Sequence, residues 1–264
     1  FSDILMLPYG LNQKVEFTKG IGPILGSLDL DNISKLEEAD FVKKMQPVYD
    51  LINLVKSHDL TKNKSTIGFV GAPWTLLVYM INQRSPKNGL KSDFFKNDNL
   101  INTILVIIQK FLKVHIKNQI KNGAQIIQIF DSWAGLLDEK DYPNFIYTST
   151  TDLVDYIKSF NIPVICFPKG IKKYKEYCDN VGPSAICIDY EVDPKEILRD
   201  IKIPVQGGMD PKILLTDQEN LKKETKRYLD IFKDHPYIFN LGHGVLPDTD
   251  PKMMDYLVKI VKDY

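Results

Sequence analysis

Two residues beside apolar segments carry side chains that could bind a ligand or act on it. Asp3 stands in the run Phe1–Leu5, where a buried carboxylate costs several kcal/mol unless charged partners or hydrogen-bond donors meet it. A functional role and a structural role as a loop or capping aspartate are both open for Asp3. Tyr79 follows the segment Gly68–Trp74, whose two glycines and proline predict a tight strand-to-helix turn. Such a turn explains the glycines but not Trp74 and Tyr79.

Two further candidates follow later apolar runs. Ser132 comes directly after Asp131, outside any G-x-S-x-G elbow, so we expect it to orient a ligand by hydrogen bonding rather than to act as a nucleophile. His243 lies between Gly242 and Gly244. A lone histidine is usually structural, but flanking glycines would let its ring or its backbone approach a ligand closely.

The elements that must position these residues alternate between β-rich runs and segments of helical periodicity, which is typical of parallel strands covered by helices. The predicted strands are Thr66–Gly71, Ile126–Asp131, Val164–Phe167, Ala185–Asp189, Ile203–Gly207 and Tyr237–Gly242, with a stub at Phe1–Leu5. Nearly every strand ends in polar or glycine-rich residues, which favours a (β/α)₈ TIM barrel over an open sheet with one switch point. We therefore predict an α/β fold with one barrel domain over residues 1–264, lacking its N-terminal first strand unit in this chain.

The helix starts have a sequence signal of their own. The motif Asp-Pro-Lys begins at Asp193, Asp210 and Asp250. Aspartate accepts hydrogen bonds from the free amides of a first helical turn. Proline fits the next position because an N–H there would have no partner within the helix, so its absence costs nothing. Apolar residues at helical spacing predict a long helix between Leu100 and Ile120.

Composition narrows the classes of protein and partner. The chain has 264 residues, 34 basic and 34 acidic side chains and 44% apolar residues, which excludes disordered, collagenous and coiled-coil proteins. The balanced charge argues against nucleic-acid and membrane-surface partners. The longest apolar runs, such as Ile104–Ile108, are much shorter than a membrane span. Only three of the basic residues are arginines.

Cysteine usage argues against both a disulfide scaffold and a structural zinc site. The three cysteines are widely spaced and form no C-x-x-C pair, and a reducing cytoplasm fits this pattern. Asp3, Asp131 and His243 are the candidate ligands for any other metal, but their spacing matches no metal motif.

Five segments, taken together and in order, resemble the uroporphyrinogen decarboxylase family. They are Phe1–Leu5 (FSDIL), Gly68–Tyr79 (GFVGAPWTLLVY), Gly123–Gly135 (GAQIIQIFDSWAG), Gln206–Pro211 (QGGMDP) and Phe239–Pro247 (FNLGHGVLP). The resemblance covers the whole chain, and five motifs in the family's order make it far more specific than any one of them.

The resemblance implies a (β/α)₈ barrel that acts as a cytoplasmic homodimer without a metal or an organic cofactor. The implied enzyme is a carboxy-lyase of haem biosynthesis, which removes carbon dioxide from the four acetate side chains of uroporphyrinogen to give coproporphyrinogen. By motif, Asp3 would be the catalytic carboxylate that faces the pyrrole N–H groups. Tyr79, Ser132 and His243 would contact the macrocycle or its carboxylate arms. Phe69 and Phe130 would line the pocket.

The chain departs from the family pattern at its beginning. An arginine-rich segment of the form R-Q-A-G-R-Y is expected before Asp3, whereas Arg84, Arg199 and Arg227 lie outside the five motifs. A substrate with eight carboxylates needs forked cationic donors. We therefore expect the chain as given to be inactive without that segment. QGGMDP also stands where an asparagine-leucine version is expected, with no consequence foreseen for its loop.

Two other functions stay open. One is a degenerate paralogue that binds a tetrapyrrole without catalysis, which the missing arginine segment suggests. The other is a zinc-dependent methyltransferase of the same superfamily, which needs a His-x-Cys pair and a distant cysteine. Cys166 follows Val164 and Ile165, with no histidine beside it, so the sequence disfavours the methyltransferase.

Overall fold

A computed structural model describes residues 3–87, 89–91 and 93–264. The chain divides into two compact units, an N-terminal unit (Phe1–Val164) and a C-terminal unit (Ile165–Tyr264), and each is considered by itself. Parallel strands alternate with helices along the chain, which confirms the predicted α/β class. The prediction of a single domain stays a prediction.

The N-terminal unit begins with a short helix and a hairpin, and its longer helices surround two parallel strands. Its elements are α1 (Met6–Gly10), β1 (Val15–Thr18), β2 (Gly22–Leu25), α2 (Leu30–Ser34), α3 (Glu38–Ser57), β3 (Ile67–Gly71), α4 (Pro73–Asn82), α5 (Asp98–Lys121), β4 (Ile126–Asp131) and α6 (Thr148–Lys158). Short 3₁₀ and π turns lie between β4 and α6.

Strands β3 and β4 pair in parallel, with Gly71 opposite Phe130. The side-chain amide of Gln119 on α5 adds a second partner for β3, because it accepts from the Phe69 N–H and donates to the Phe69 carbonyl, both at 2.9 Å. Gly68 leaves room for this amide, since a Cβ there would lie 2.5 Å from Gln119 Oε1. The backbone on both sides of Phe69 is thereby fixed.

Helix α5 confirms the predicted long helix. Among the described residues it is the one helix whose length and mean hydropathy of 1.3 would also allow it to cross a membrane. One face is buried against α3, α4 and α6, and it includes Ile104, Ile108 and Leu112. Helices in the core of a folded domain have the same length and composition, and the buried face of α5 is of that kind.

The predicted strand stub at Phe1–Leu5 is wrong over its described part, Asp3–Leu5. The Leu5 N–H donates to Asp3 Oδ1 at 2.8 Å, and the Met6 N–H donates to the Asp3 carbonyl at 3.1 Å. Aspartate favours such local turns because its short side chain competes for neighbouring backbone amides. The chain therefore turns into α1 instead of extending. Phe1 and Ser2 lie outside the described residues.

The C-terminal unit carries the later strands, which pair in parallel in chain order. Its elements are β5 (Val164–Pro168, whose first residue is the last of the N-terminal unit), α7 (Tyr174–Val181), β6 (Ala185–Ile188), α8 (Pro194–Asp200), β7 (Val205–Gly207), α9 (Gln218–Phe232), β8 (Tyr237–Ile238) and α10 (Pro251–Lys262). Strand β8 has only two residues, so the predicted strand Tyr237–Gly242 is too long.

The three Asp-Pro-Lys signals are confirmed as helix caps. Asp193, Asp210 and Asp250 each accept from the backbone N–H two residues ahead at 2.9 Å. The first and third begin α8 and α10, whereas the second begins a 3₁₀ helix, Pro211–Leu215. The signal therefore identifies the cap, and the packing that follows decides which kind of helix it starts.

Two consecutive glycines at the end of β7 have backbone conformations that other residues rarely adopt. Gly207 has φ +87° and Gly208 has φ +100°. A Cβ on Gly207 would lie 2.9 Å from the Ile188 carbonyl oxygen and 3.1 Å from that of Leu241. Tyr237 and Tyr228 donate their hydroxyls to the Gly207 and Gly208 carbonyls, both at 2.7 Å.

We predict that Gly207→Ala lowers the free energy of unfolding by about 2–4 kcal/mol, since it adds backbone strain to a contact with two carbonyl groups. Gly244→Ala is the matched control, because its Cβ would meet nothing within 4 Å and its φ is not positive. Denaturant unfolding of both variants measures the difference. Equal stabilities would show that the loop relaxes around a side chain at residue 207.

Candidate active site

Asp3 lies at the start of the N-terminal unit in a half-buried position. Its Oδ1 holds the turn before α1, which leaves Oδ2 outside that turn. The next residue, Ile4, packs against Gly71 at the carboxyl end of β3, where a Cβ on Gly71 would lie 3.2 Å from Ile4 Cβ. Glycine at this position thus lets the Asp3 segment approach the strand end. The capping role considered for Asp3 is present, and it occupies one of the two carboxylate oxygens.

A cavity of about 290 Å³ adjoins Asp3. Its walls are mostly apolar, with Met6 and Phe17 among them, and Lys44 supplies a cation. Lys44 also donates to Asn12 Oδ1 at 2.8 Å and lies 4.4 Å from the centre of the Tyr9 ring. No sequence signal distinguishes Lys44, because it is one of many lysines on helical segments.

Tyr79 is buried on α4 and is electrostatically coupled to Asp3. Burial raises the pKa of the Tyr79 hydroxyl, contacts with Trp133 and Ser85 lower it, and the Asp3 carboxylate raises it further. The Tyr79 and Trp133 rings meet edge to face, with centroids 5.9 Å apart. Tyr79 therefore keeps its proton near neutral pH and can donate a hydrogen bond.

Ser132 is half-buried between two residues that are fixed to α4. On one side the Thr75 hydroxyl donates to Asp131 Oδ1 at 2.7 Å. On the other side the Trp133 N–H donates to the same Thr75 oxygen at 3.1 Å, and Trp74 Nε1 donates to the Trp133 carbonyl at 2.9 Å. The first turn of α4 therefore holds the Asp131 side chain on one side of Ser132 and the Trp133 backbone on the other.

Phe69 and Phe130 lie on neighbouring strands of the same unit and are both half-buried. Their rings meet edge to face with centroids 5.9 Å apart. Within the N-terminal unit, the Asp3 charge thus acts on Tyr79, and the Tyr79 ring meets the Trp133 ring of the Ser132–Trp133 segment. Whether Phe69 and Phe130 line a ligand pocket stays a prediction.

His243 is exposed in the C-terminal unit, after β8. The Gly244 N–H donates to His243 Nδ1 at 2.6 Å. A nitrogen that accepts a hydrogen bond carries no proton, so the neutral ring has its proton on Nε2. Partial burial and Lys169 lower the His243 pKa, and Asp189 raises it. His243 is therefore a neutral donor through Nε2 near pH 7.

Asp189 is a further candidate residue, which the sequence prediction missed and whose charge acts on His243. It follows β6, is buried, and accepts from the N–H groups of Gly170 at 2.8 Å and Glu191 at 2.9 Å. Gly242 packs directly on this segment, since a Cβ there would lie 2.5 Å from the Tyr190 N. The available signal was an acidic residue at the end of a predicted strand, the same signal that singled out Asp131.

The family model of uroporphyrinogen decarboxylase (URO-D) matches residues 1–264. The chain belongs to the uroporphyrinogen decarboxylase family. The five motifs therefore identified the family correctly.

Relatives named uroporphyrinogen decarboxylase support the same family. One from Rickettsia bellii is 37% identical, one from Wolbachia pipientis 38% and one from Campylobacter jejuni 36%. The alignments cover 100% of this chain and 79%, 78% and 79% of those relatives. Among solved structures, a methyltransferase from Methanosarcina mazei covers 100% of this chain and 79% of its own, with a TM-score of 0.79 and 14% identity. That likeness shows a shared fold and nothing about activity.

The buried carboxyl of Asp131 gives this decarboxylase-family chain a pH-dependent stability. Burial raises the Asp131 pKa from 3.8 to about 7. Hydrogen bonds from the Thr75 hydroxyl and backbone lower this pKa by smaller amounts. Between these two values the folded chain binds a proton that the unfolded chain does not. Stability from this group is therefore fully present below pH 3.8 and is lost as the pH rises through about 7.

We predict that the wild type loses up to about 4 kcal/mol of unfolding free energy relative to Asp131→Asn as the pH rises from 4 to 8. Denaturant unfolding at several pH values measures this difference, with Asp138→Asn as an exposed control. Parallel pH profiles of the wild type and Asp131→Asn would contradict the raised pKa.

We predict that Lys169→Gln raises the pKa of His243, because it removes the positive charge that lowers it. The chain has four histidines, so NMR titration of the imidazole signals can follow this one. Lys172→Gln is a control that removes a lysine of the same segment. An unchanged His243 titration in Lys169→Gln would rule out the interaction.

Proposed function

We propose that the chain is a decarboxylase that removes carbon dioxide from the four acetate side chains of uroporphyrinogen, giving coproporphyrinogen in tetrapyrrole biosynthesis. The family match over residues 1–264 carries this proposal. The three named relatives support it, because each aligns with all of this chain.

Asp3 is the proposed catalytic carboxylate. Protonation of the ring carbon between the nitrogen and the acetate-bearing carbon makes the ring cationic, with positive charge shared by the nitrogen and the acetate-bearing carbon. The bond between the acetate methylene and its carboxylate then breaks, carbon dioxide leaves, and the electron pair enters the ring. A proton taken up by the methylene carbon completes the methyl group, and the ring returns its added proton. A fixed carboxylate beside the pyrrole N–H stabilises the charge where it develops.

Neutral hydrogen-bond donors suit the substrate's carboxylate arms. Tyr79 keeps its proton because its pKa is raised, and His243 offers Nε2–H because Gly244 occupies Nδ1. Ser132 is the third proposed donor, and both of its neighbours are hydrogen-bonded to Thr75. Donors that keep their protons can hold a carboxylate in a fixed position relative to Asp3 while the pyrrole ring reacts. Because the tetrapyrrole itself accepts the electron pair, we propose that no organic cofactor takes part.

We propose a homodimer in the cytoplasm as the working form, as the family resemblance implies. Light scattering of the purified protein at several concentrations tests the dimer. A monomer at every concentration would refute it.

A zinc-dependent methyltransferase is the second candidate, since a methyltransferase shares the fold. Cys166 and Cys187 are buried, and burial raises the pKa values of Cys178 and Cys187 to about 12, whereas zinc binds thiolates. Within residues 3–87, 89–91 and 93–264, no three His, Cys, Asp or Glu side chains are grouped so as to hold a metal. Stoichiometric zinc in the purified protein would revive this candidate.

Asp3→Asn, made in the protein as its gene encodes it with any residues upstream of Phe1, tests the catalytic role. We predict a loss of kcat of roughly 10²–10⁴-fold with a much smaller change in substrate binding, if Asp3 acts mainly on the transition state. Carbon dioxide release and porphyrinogen products are measured by chromatography. The amide can still accept from the Leu5 N–H, so the turn before α1 is retained.

Asp138→Asn is the control for loss of an exposed carboxylate. Unchanged turnover in Asp3→Asn would remove Asp3 from the mechanism. If the wild type binds uroporphyrinogen but releases no carbon dioxide, the chain is a non-catalytic tetrapyrrole-binding paralogue.

A further inference from the structure

Asp131 is a buried acid to which the proposed mechanism assigns no role. The residue is 1% exposed. Oδ1 accepts from the Thr75 hydroxyl, whereas Oδ2 is buried without a hydrogen-bond partner in the described part of the chain. A buried polar atom without a partner lowers stability. Stability alone is therefore a poor reason for an acid at this position.

The contacts of Thr75 show what Asp131 controls. A hydroxyl can donate one hydrogen bond, and the Thr75 hydroxyl donates its bond to Asp131 Oδ1 at 2.7 Å. The Thr75 oxygen then presents a lone pair to the Trp133 N–H at 3.1 Å. Without the acid, the hydroxyl would be free to rotate and donate elsewhere, for instance to a carbonyl of the preceding turn.

We propose that Asp131 is a positioning residue, which fixes the Thr75 hydroxyl and thereby holds the Ser132–Trp133 backbone beside Tyr79. The consequence for catalysis rests on the proposed function, in which Ser132 and Tyr79 contact the substrate. A misplacement of about 1 Å in such a group can cost on the order of 10²-fold in rate. The arrangement itself does not depend on the substrate.

The protonation state of Asp131 decides which substitutions separate positioning from stability. Burial raises its pKa to about 7, and the facing Thr75 groups lower it, so below neutral pH the side chain is largely uncharged. Asparagine reproduces an uncharged side chain whose oxygen can accept from Thr75. Leucine has a similar size and no acceptor, and it removes the unpartnered Oδ2.

The test compares Asp131→Asn and Asp131→Leu in the protein as its gene encodes it. Because an apolar side chain of similar size avoids the buried unpaired oxygen, we expect Asp131→Leu to keep or raise the denaturant midpoint. We expect the same variant to lower kcat about 10–100-fold with little change in KM, and Asp131→Asn to stay within about threefold of wild type below pH 7.

Tryptophan fluorescence provides a measurement that does not require activity. The chain has two tryptophans, Trp74 and Trp133, and both belong to this hydrogen-bond network. We expect Asp131→Leu to shift the emission and raise its accessibility to quencher, and Asp131→Asn to leave both unchanged. If Asp131→Leu does not fold, Thr75→Val and its conservative counterpart Thr75→Ser test the same contact from the other side.

The outcomes separate the two proposals. An Asp131→Leu or Thr75→Val variant with wild-type emission and wild-type kcat would overturn the positioning role. A fluorescence shift confined to the variants that lack the Thr75–Asp131 hydrogen bond supports the positioning role, even if the wild type releases no carbon dioxide from uroporphyrinogen. That last result would refute the proposed function alone.

Discussion

The hydroxyl of Thr75 joins the first turn of α4 to the end of β4, and the candidate site of the N-terminal unit depends on this link. It donates to Asp131 and accepts from the Trp133 N–H, so Ser132 between them has little freedom. The same helix carries Tyr79, which meets the Trp133 ring. The Thr75 side chain therefore sets the separation between Tyr79 and Ser132, two of the proposed substrate contacts. Thr75 lies on a rigid helix and not on a loop.

Burial favours the uncharged forms of several titratable side chains in each unit. It raises the pKa values of Tyr79 and Asp131 and lowers that of His243. All three shifts favour the uncharged forms. Neutral donors can bind carboxylates without exchanging protons with them, which suits a substrate with many carboxylate arms. Two cations accompany these groups: Lys44 lines the same cavity as Asp3, and the charge of Lys169 acts on His243.

Much of the fold followed from local sequence patterns. The start and end of β4 match the prediction, and the long helix α5 and the three aspartate caps are confirmed. These features depend on interactions within a few residues, such as the hydrogen bond from Lys195 N–H to Asp193. The predicted strand stub was wrong over Asp3–Leu5 because its apolar residues favoured a strand, whereas the Asp3 carboxylate stabilises a turn. The hairpin of β1 and β2 had no recognised signal.

The sequence by itself determined the family, the α/β class and the candidates Asp3, Tyr79, Ser132 and His243. Motifs, helix caps and hydrophobic periodicity involve residues that are close together in the sequence, so they can be recognised without the tertiary structure. Only the tertiary structure decided that the Asp3 carboxylate acts on Tyr79, that Thr75 links Asp131 to Trp133, and that Asp189 acts on His243. Thr75 and Asp131 are 56 positions apart. Contacts over such separations, and the burial that shifts their pKa values, exist only after the strands and helices have packed together.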